Sequence, residues 1–195
     1  MQSASERMSR LITDLLTFSR ITTRTKPFLP VALNKVAAEV LEDLEVTIEE
    51  TGARISFGEL PVIEADEFQM KQLFQNLISN GIKFRRPGVV PEINISADPA
   101  PENASTSTSP ALVTLRFTDN GIGFDESYID RIFLPFQRLH NKSQYSGTGV
   151  GLAVCLRVVE RHGGSLTATS TPGSGSTFIV TLSRINHVYD VEDAV

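Results

Sequence analysis

The strand-like run Ala111-Leu112-Val113-Thr114-Leu115-Arg116-Phe117-Thr118 passes directly into Asp119-Asn120-Gly121-Ile122-Gly123. This junction constrains the chain most, because it ends a sheet element in a flexible turn with one carboxylate mounted at its mouth. Such a carboxylate can accept a hydrogen bond from the exocyclic amine of a nucleotide base. Two glycines let the backbone approach that base with no Cβ in the way. The turn reads as a base grip only in company with two other segments, Asn76 to Lys83 upstream and Gly147-Thr148-Gly149-Val150-Gly151 downstream.

The pattern around these segments is mixed. Met8, Leu11, Leu15 and Phe18 recur at helical spacing, widened by Ile12 and Leu16, and predict an amphipathic helix that Lys26-Pro27 and Pro30 end. Val36, Val40, Leu44 and Ile48 predict a second helix over residues 34–50 with Gly52 as terminator. Arg54 to Phe57 and Pro61 to Glu64 read as short strands. Asp66 and Gln69 then give a capping-box-like start to a third helix, about Glu67 to Phe84. Glu92 to Ala97 and Ala111 to Thr118 read as strands joined by a polar, proline-rich and mobile loop, whose Asn103 sequon carries no function. A short helix is expected at Glu126 to Phe133, a longer one at Leu152 to His162, and a closing hairpin from Ser165–Ser170 and Ser176–Ser183.

On the third helix, about 100° per residue places Asn76, Asn80 and Lys83 in one narrow stripe, with Met70, Leu73, Phe74, Leu77 and Ile78 on the broad remaining face. Carboxamide oxygens suit a hard cation such as Mg²⁺, and a neighbouring ammonium neutralises phosphate. An ordinary solvated polar face is the alternative. Leu134 to Ser146 has the shape of a lid, tethered by Phe133 and Phe136 on one side and Gly147 on the other, from which Arg138 or Lys142 can reach phosphate oxygens. An ordinary long loop is its alternative. Gly147, Gly149 and Gly151 lead into the next helix, whose N-terminal N–H groups and dipole attract phosphate.

Composition narrows the classes. The 195 residues, 41% hydrophobic and 21% charged, suffice for one sizeable core, and the net charge of −5 argues against a general nucleic-acid or anionic-membrane binder. A single cysteine, Cys155, forms no internal disulfide and fits a reducing cytoplasm; no run is apolar enough to span a bilayer and no secretory pattern opens the chain. A Gly-x4-Gly-Lys-Ser/Thr loop is missing. In the Asp119 turn, glycines stand where a calcium loop needs oxygen ligands, and no dinucleotide fingerprint follows a first strand.

Four ordered segments carry a resemblance. Asn76-Leu77-Ile78-Ser79-Asn80-Gly81-Ile82-Lys83-Phe84 resembles the N box of the catalytic ATP-binding domain of sensor histidine kinases, which share a superfamily with gyrase B and mismatch-repair ATPases. Asp119 to Phe124 resembles the first glycine box, Ile132-Phe133-Leu134-Pro135-Phe136 the F box, and Gly147 to Leu152 the second glycine box. Phe136 to His140 and Arg161 to Gly164 are similar to kinases attached to PAS or phytochrome-type sensors.

The resemblance implies an α/β (α+β) sandwich, with a mixed, largely antiparallel sheet of about five strands on three helices. It implies ATP and Mg²⁺ as ligands: Asp119 on the adenine amino group, Asn80 on the metal, Asn76 and Lys83 on the triphosphate, and Arg138 near the γ-phosphate. Gly147, Gly149, Gly151 and Leu152 would lie at the phosphate-binding helix start, and Gly121 and Gly123 would permit the turn beside the base. Asn76, Lys83 and Arg138 are the catalytic candidates. The implied reaction moves the γ-phosphoryl group to a histidine for relay to a response regulator receiver domain, in a homodimeric parent.

Two departures stand out. Gly81 occupies a position where the family usually has alanine, and the acceptor His with its acidic neighbour is missing. Ser5 to Thr22 resembles the end of the second helix of a dimerisation hairpin, which divides the chain into 1–26, a catalytic domain 27–183 and a tail 184–195. His140, His162 and His187 stand in the wrong contexts for an acceptor and read as structural or solvated. A stand-alone serine kinase of the anti-sigma type and a non-catalytic nucleotide- or partner-binding module are the other readings.

Overall fold

The computed structural model describes residues 27–98, 112–139, 145 and 147–185. The expected opening helix, most of the proline-rich loop, Lys142, His140 and His187 lie outside the described residues. Seven strands and five α-helices follow in order: β1 (Leu29–Ala32), α1 (Leu33–Asp43), α2 (Glu45–Thr51), β2 (Arg54–Phe57), β3 (Val62–Ala65), α3 (Glu67–Lys83), β4 (Glu92–Ala97), β5 (Leu112–Asp119), α4 (Ile129–Ile132), α5 (Gly151–Arg161), β6 (Ser165–Thr171) and β7 (Gly175–Ser183). A 3-10 turn, Glu126–Tyr128, precedes α4.

The main sheet has the order β2-β4-β5-β7-β6. Only the β2–β4 pair within it is parallel, and the rest is antiparallel, as expected of a mixed, largely antiparallel sheet. Period-two alternation decides its faces. In β6, Leu166, Ala168 and Ser170 turn inward while Ser165, Thr167, Thr169 and Thr171 meet solvent, so one face is a hydroxyl-rich wall and the other is the core. On the core side lie Ile95, Leu115, Val180 and Leu182, all fully buried. The apolar stripe of α3 packs here, with the Phe74 ring edge-on to Phe117 at a centroid distance of 5.0 Å.

Helices α1 and α5 flank α3 and complete the layer through Leu33, Val36, Val40, Cys155, Val158 and Val159. Full burial of such a side chain contributes about 1.5–3 kcal/mol, so this layer is the main source of stability. Cys155 is fully buried and burial pushes its thiol far up, which leaves it an inert core residue.

Two features differ from expectation. The single helix over 34–50 is two: Leu44 leaves helical geometry with ψ near 3°, and α2 beyond it has no fully buried residue. The broken axis lets Leu44 turn into the core while α2 stays at the surface. Gly52 does end α2, in the left-handed region at φ 65°. A separate two-stranded antiparallel sheet, β1 with β3, also forms, and β3 runs directly into the start of α3. Immediately after β7 the Arg184 carbonyl accepts from the Glu64 N–H at 3.0 Å, which joins this end of β7 to β3.

The start of α3 is fixed twice. Asp66 caps it by accepting from the Gln69 N–H at 3.2 Å, a contact worth about 1 kcal/mol. The Asp66 N–H in turn donates to His162 Nε2 at 3.1 Å, and His162 Nδ1 lies 2.7 Å from the Val158 carbonyl. This pattern assigns the neutral tautomer with the proton on Nδ1. Phe28 stacks on the buried imidazole at 4.4 Å, so His162 is a structural residue at the joint of the entering chain, α3 and α5.

Candidate functional site

A cavity of about 480 Å³ opens between α3, the Asp119 turn and the segment leading into α5. Asn76, Asn80 and Lys83 line it from α3, Asp119 and Gly123 from the turn, and Gly147, Gly149, Gly151 and Leu152 from the start of α5. Arg138 lines it as well. Of the expected site residues only Gly121 stands behind the wall. Its backbone passes so close that an added Cβ would lie 2.6 Å from the Phe84 carbonyl oxygen and 2.7 Å from Asp119 Oδ1, so glycine is required by packing.

The Asp119 carboxylate is oriented from its own turn: Oδ1 accepts from the Gly121 N–H at 2.8 Å. Burial pushes the carboxyl upward, opposed by the Gly121 and Ser176 N–H groups. One oxygen is held in place, which leaves the group shaped to accept a donor from the cavity.

Lys83 is the most perturbed cation here. Burial, with the Arg138 guanidinium adding to it, brings its ammonium down to about 8. The ammonium sits 4.4 Å above the Phe84 ring, and a Cβ built on Gly147 would approach Nζ to 2.7 Å. Arg138 donates to the Gly147 carbonyl at 2.7 Å and to the Tyr145 carbonyl. Two cations held together in a half-buried cavity have their charge best satisfied by an anion.

The start of α5 adds to that field. Its N-cap, Val150, offers no side-chain acceptor, so the first-turn N–H groups face the cavity end without a side-chain cap. Gly151 lies against Asn76, where an added Cβ would stand 3.0 Å from Oδ1. Three sequence-distant elements thus converge on one space lined by a carboxylate, cations, amides and a helix N-terminus.

Several lining residues escaped the sequence reading. Gln72, Gln75 and Ser79 extend the polar stripe of α3 by another turn, and Gln72 Oε1 is buried with no hydrogen-bond partner. Their helical spacing puts them near the Asn76 stripe, and only the packing of α3 shows that they face the cavity. Ser176 and Phe178 enter from β7 because Asp119 pairs in register with Ser176, information that no local pattern carries. Phe136, in the F-box-like segment, is 56% exposed at φ 64°, a conformation an L residue adopts at a cost, and its N–H donates to the Gly149 carbonyl. Among the described residues no group of three His, Cys, Asp or Glu could hold a metal, and no helix is long and apolar enough to cross a membrane.

Residues 65–185 match the family model described as histidine kinase-, DNA gyrase B- and HSP90-like ATPase. The chain is 41% identical over 171 residues to the phytochrome-like protein Cph1 of Synechocystis sp., covering 88% of this chain and 22% of that protein. It therefore spans about a fifth of the length of such curated relatives. Among solved structures, full-length ShkA in complex with AMPPNP superposes with a TM-score of 0.70 at 25% identity, covering 88% of this chain and 35% of that one. The catalytic domain of histidine kinase ThkA gives 0.64 at 24%, covering 82% and 99%, a likeness of fold.

Proposed function

This chain belongs to the histidine kinase-, DNA gyrase B- and HSP90-like ATPases, and on that footing we propose that it is the ATP-binding catalytic portion of a sensor histidine kinase. The observation that carries the reading is the convergence of the α3 stripe, the Asp119 turn and the start of α5 on one cavity. Adenine enters at the Asp119 end, where the carboxylate accepts from the exocyclic amine. The triphosphate runs toward Lys83, Asn76, Arg138 and the first turn of α5, beside Gly147, Gly149, Gly151 and Leu152.

Phosphoryl transfer needs positioning and charge stabilisation more than protein nucleophiles. An imidazole nitrogen of the acceptor bonds to the γ-phosphorus as the bond from that phosphorus to the β,γ-bridging oxygen breaks, and ADP leaves with the electron pair. Asn76, Lys83 and Arg138 hold the moving group and meet its charge. A carboxamide oxygen suits a hard cation that keeps most of its shell on phosphate and water, so Asn80 would hold Mg²⁺, which supplies further charge neutralisation when bound. In this reading a dimerisation helix outside residues 27–183 supplies the acceptor histidine, and His162, buried and hydrogen-bonded within the fold, is held away from that role. A receiver domain takes the phosphoryl group onward, in a homodimeric parent acting in the cytoplasm. Residues 27–183 form the catalytic unit in this reading.

Calorimetric titration with Mg-ATP tests it, and the absence of both heat and thermal shift would end it. Mixing the protein with a separately produced acceptor-helix domain should yield acid-labile phosphate. Acid-stable phosphoserine would point instead to a serine kinase, and binding with no transfer to a non-catalytic module.

A further inference from the structure

Arg86 lies just beyond α3, outside the cavity. Its Nε donates to the Asn120 carbonyl at 2.9 Å and its NH1 to the Gly173 carbonyl at 3.1 Å, so one guanidinium joins three chain segments. Asn120 immediately follows Asp119, and Gly173 lies in the turn between β6 and β7. Backbone contacts also hold the Asp119 turn: Ile122 N–H donates to the Phe84 carbonyl at 2.9 Å and Gly173 N–H to the Ile122 carbonyl at 2.7 Å. The Asn120 side chain faces the other way, donating to the Val90 carbonyl and accepting from the Glu92 N–H. Beside the Ile122–Phe84 backbone bond, Arg86 adds a side-chain fork that ties the Asp119 turn and the β6–β7 turn together to the segment leaving α3, and α3 is the element that places Asn80 and Lys83.

We propose that Arg86 is a positioning residue for base recognition, setting the direction of the Asp119 carboxylate through the Asn120 and Gly173 carbonyls. This rests on the nucleotide reading above. A planar fork meets two carbonyls at once, which a lysine ammonium on a flexible stem does not. Loss of the fork frees the turn to shift relative to α3, and a carboxylate shifted by a fraction of an ångström discriminates poorly between an amine and a carbonyl on the base. The triphosphate end, anchored on α3 and α5, is untouched.

The test compares ATP, inosine triphosphate and tripolyphosphate by calorimetry on the wild type, Arg86→Ala, Arg86→Lys and Asp119→Asn, with circular dichroism on each. The wild type should prefer ATP over inosine triphosphate. Arg86→Ala should cut that preference by about 5-fold or more while tripolyphosphate affinity stays within about 2-fold, and Arg86→Lys should restore part of it. Combining Arg86→Ala with Asp119→Asn should lower the preference no further than Asp119→Asn alone. An unchanged ATP preference in Arg86→Ala, or an equal loss for ATP and tripolyphosphate, overturns the inference while leaving the nucleotide reading intact. A wild type that binds neither nucleoside triphosphate overturns both.

Discussion

With the triphosphate placed as proposed, Lys83 should make nucleotide affinity pH-dependent in a window where few side chains titrate. In the free protein its ammonium is brought down to about 8 by burial and by Arg138. A bound triphosphate places negative charge against it and returns it toward the ordinary lysine range, so the complex holds more protons than the free protein. By linkage, affinity is full below the lowered value and falls as pH rises through it. At about pH 7 roughly a tenth of the free protein carries neutral Lys83, and at about pH 9 roughly nine tenths does. The ratio of these populations predicts about a tenfold loss of affinity between those two conditions, or about 1.4 kcal/mol. Near pH 8 binding should take up about half a proton per nucleotide. Calorimetry in two buffers of different ionisation enthalpy reads that proton directly. Lys83→Arg keeps the charge throughout and should flatten the profile, which also separates it from titration of the nucleotide itself. An affinity that holds steady across the window in the wild type, with heats independent of buffer, would refute the argument.

Further outcomes follow from other contacts. Asp119→Asn, which replaces an acceptor oxygen by a donor, should weaken ATP binding by about 10- to 100-fold in calorimetry, and unchanged affinity would remove Asp119 from the base role. Gly81→Ala sets a gain of about 1 kcal/mol in helix propensity against a Cβ only 2.8 Å from Ile93 Cγ1, and the clash should win by about 1 kcal/mol in urea unfolding. Paired with Ile93→Ala, the two changes should be less destabilising than their sum; strict additivity would show that the contact does not matter. Burial holds the folded His162 value below the ordinary one, so its contribution is complete above about pH 6.5 and lost as pH falls through the lowered value. The urea midpoint should drop on acidification more steeply in the wild type than in His162→Gln, and equal slopes would count against it.

What could be read from the sequence was local. The α3 stripe, its Asp66 cap, the Gly52 stop and the glycine turn after β5 are set by residues within a few positions of one another, and each took the form its own neighbours dictate. All the expected site residues but Gly121 line the cavity, and all of those except Arg138 fall within the four ordered segments. Non-local facts were hidden. The periodic stripe through Leu44 fits an unbroken helix as well as a bent one, and only the depth of the core decides between them. The parallel placing of β2 beside β4, and of Ser176 opposite Asp119, depends on register between distant segments. Likewise, nothing near Arg86 in the chain announces that Gly173 will stand 3.1 Å away.

The hydroxyl-rich outer wall of β6 has a practical corollary. Everything proposed to touch nucleotide lies on the helical side, so Ser165, Thr167 and Thr169 offer attachment points for a fluorophore or surface tether that leave the mouth of the cavity open to titrants. A molecule immobilised by its back would present its working face to whatever flows past.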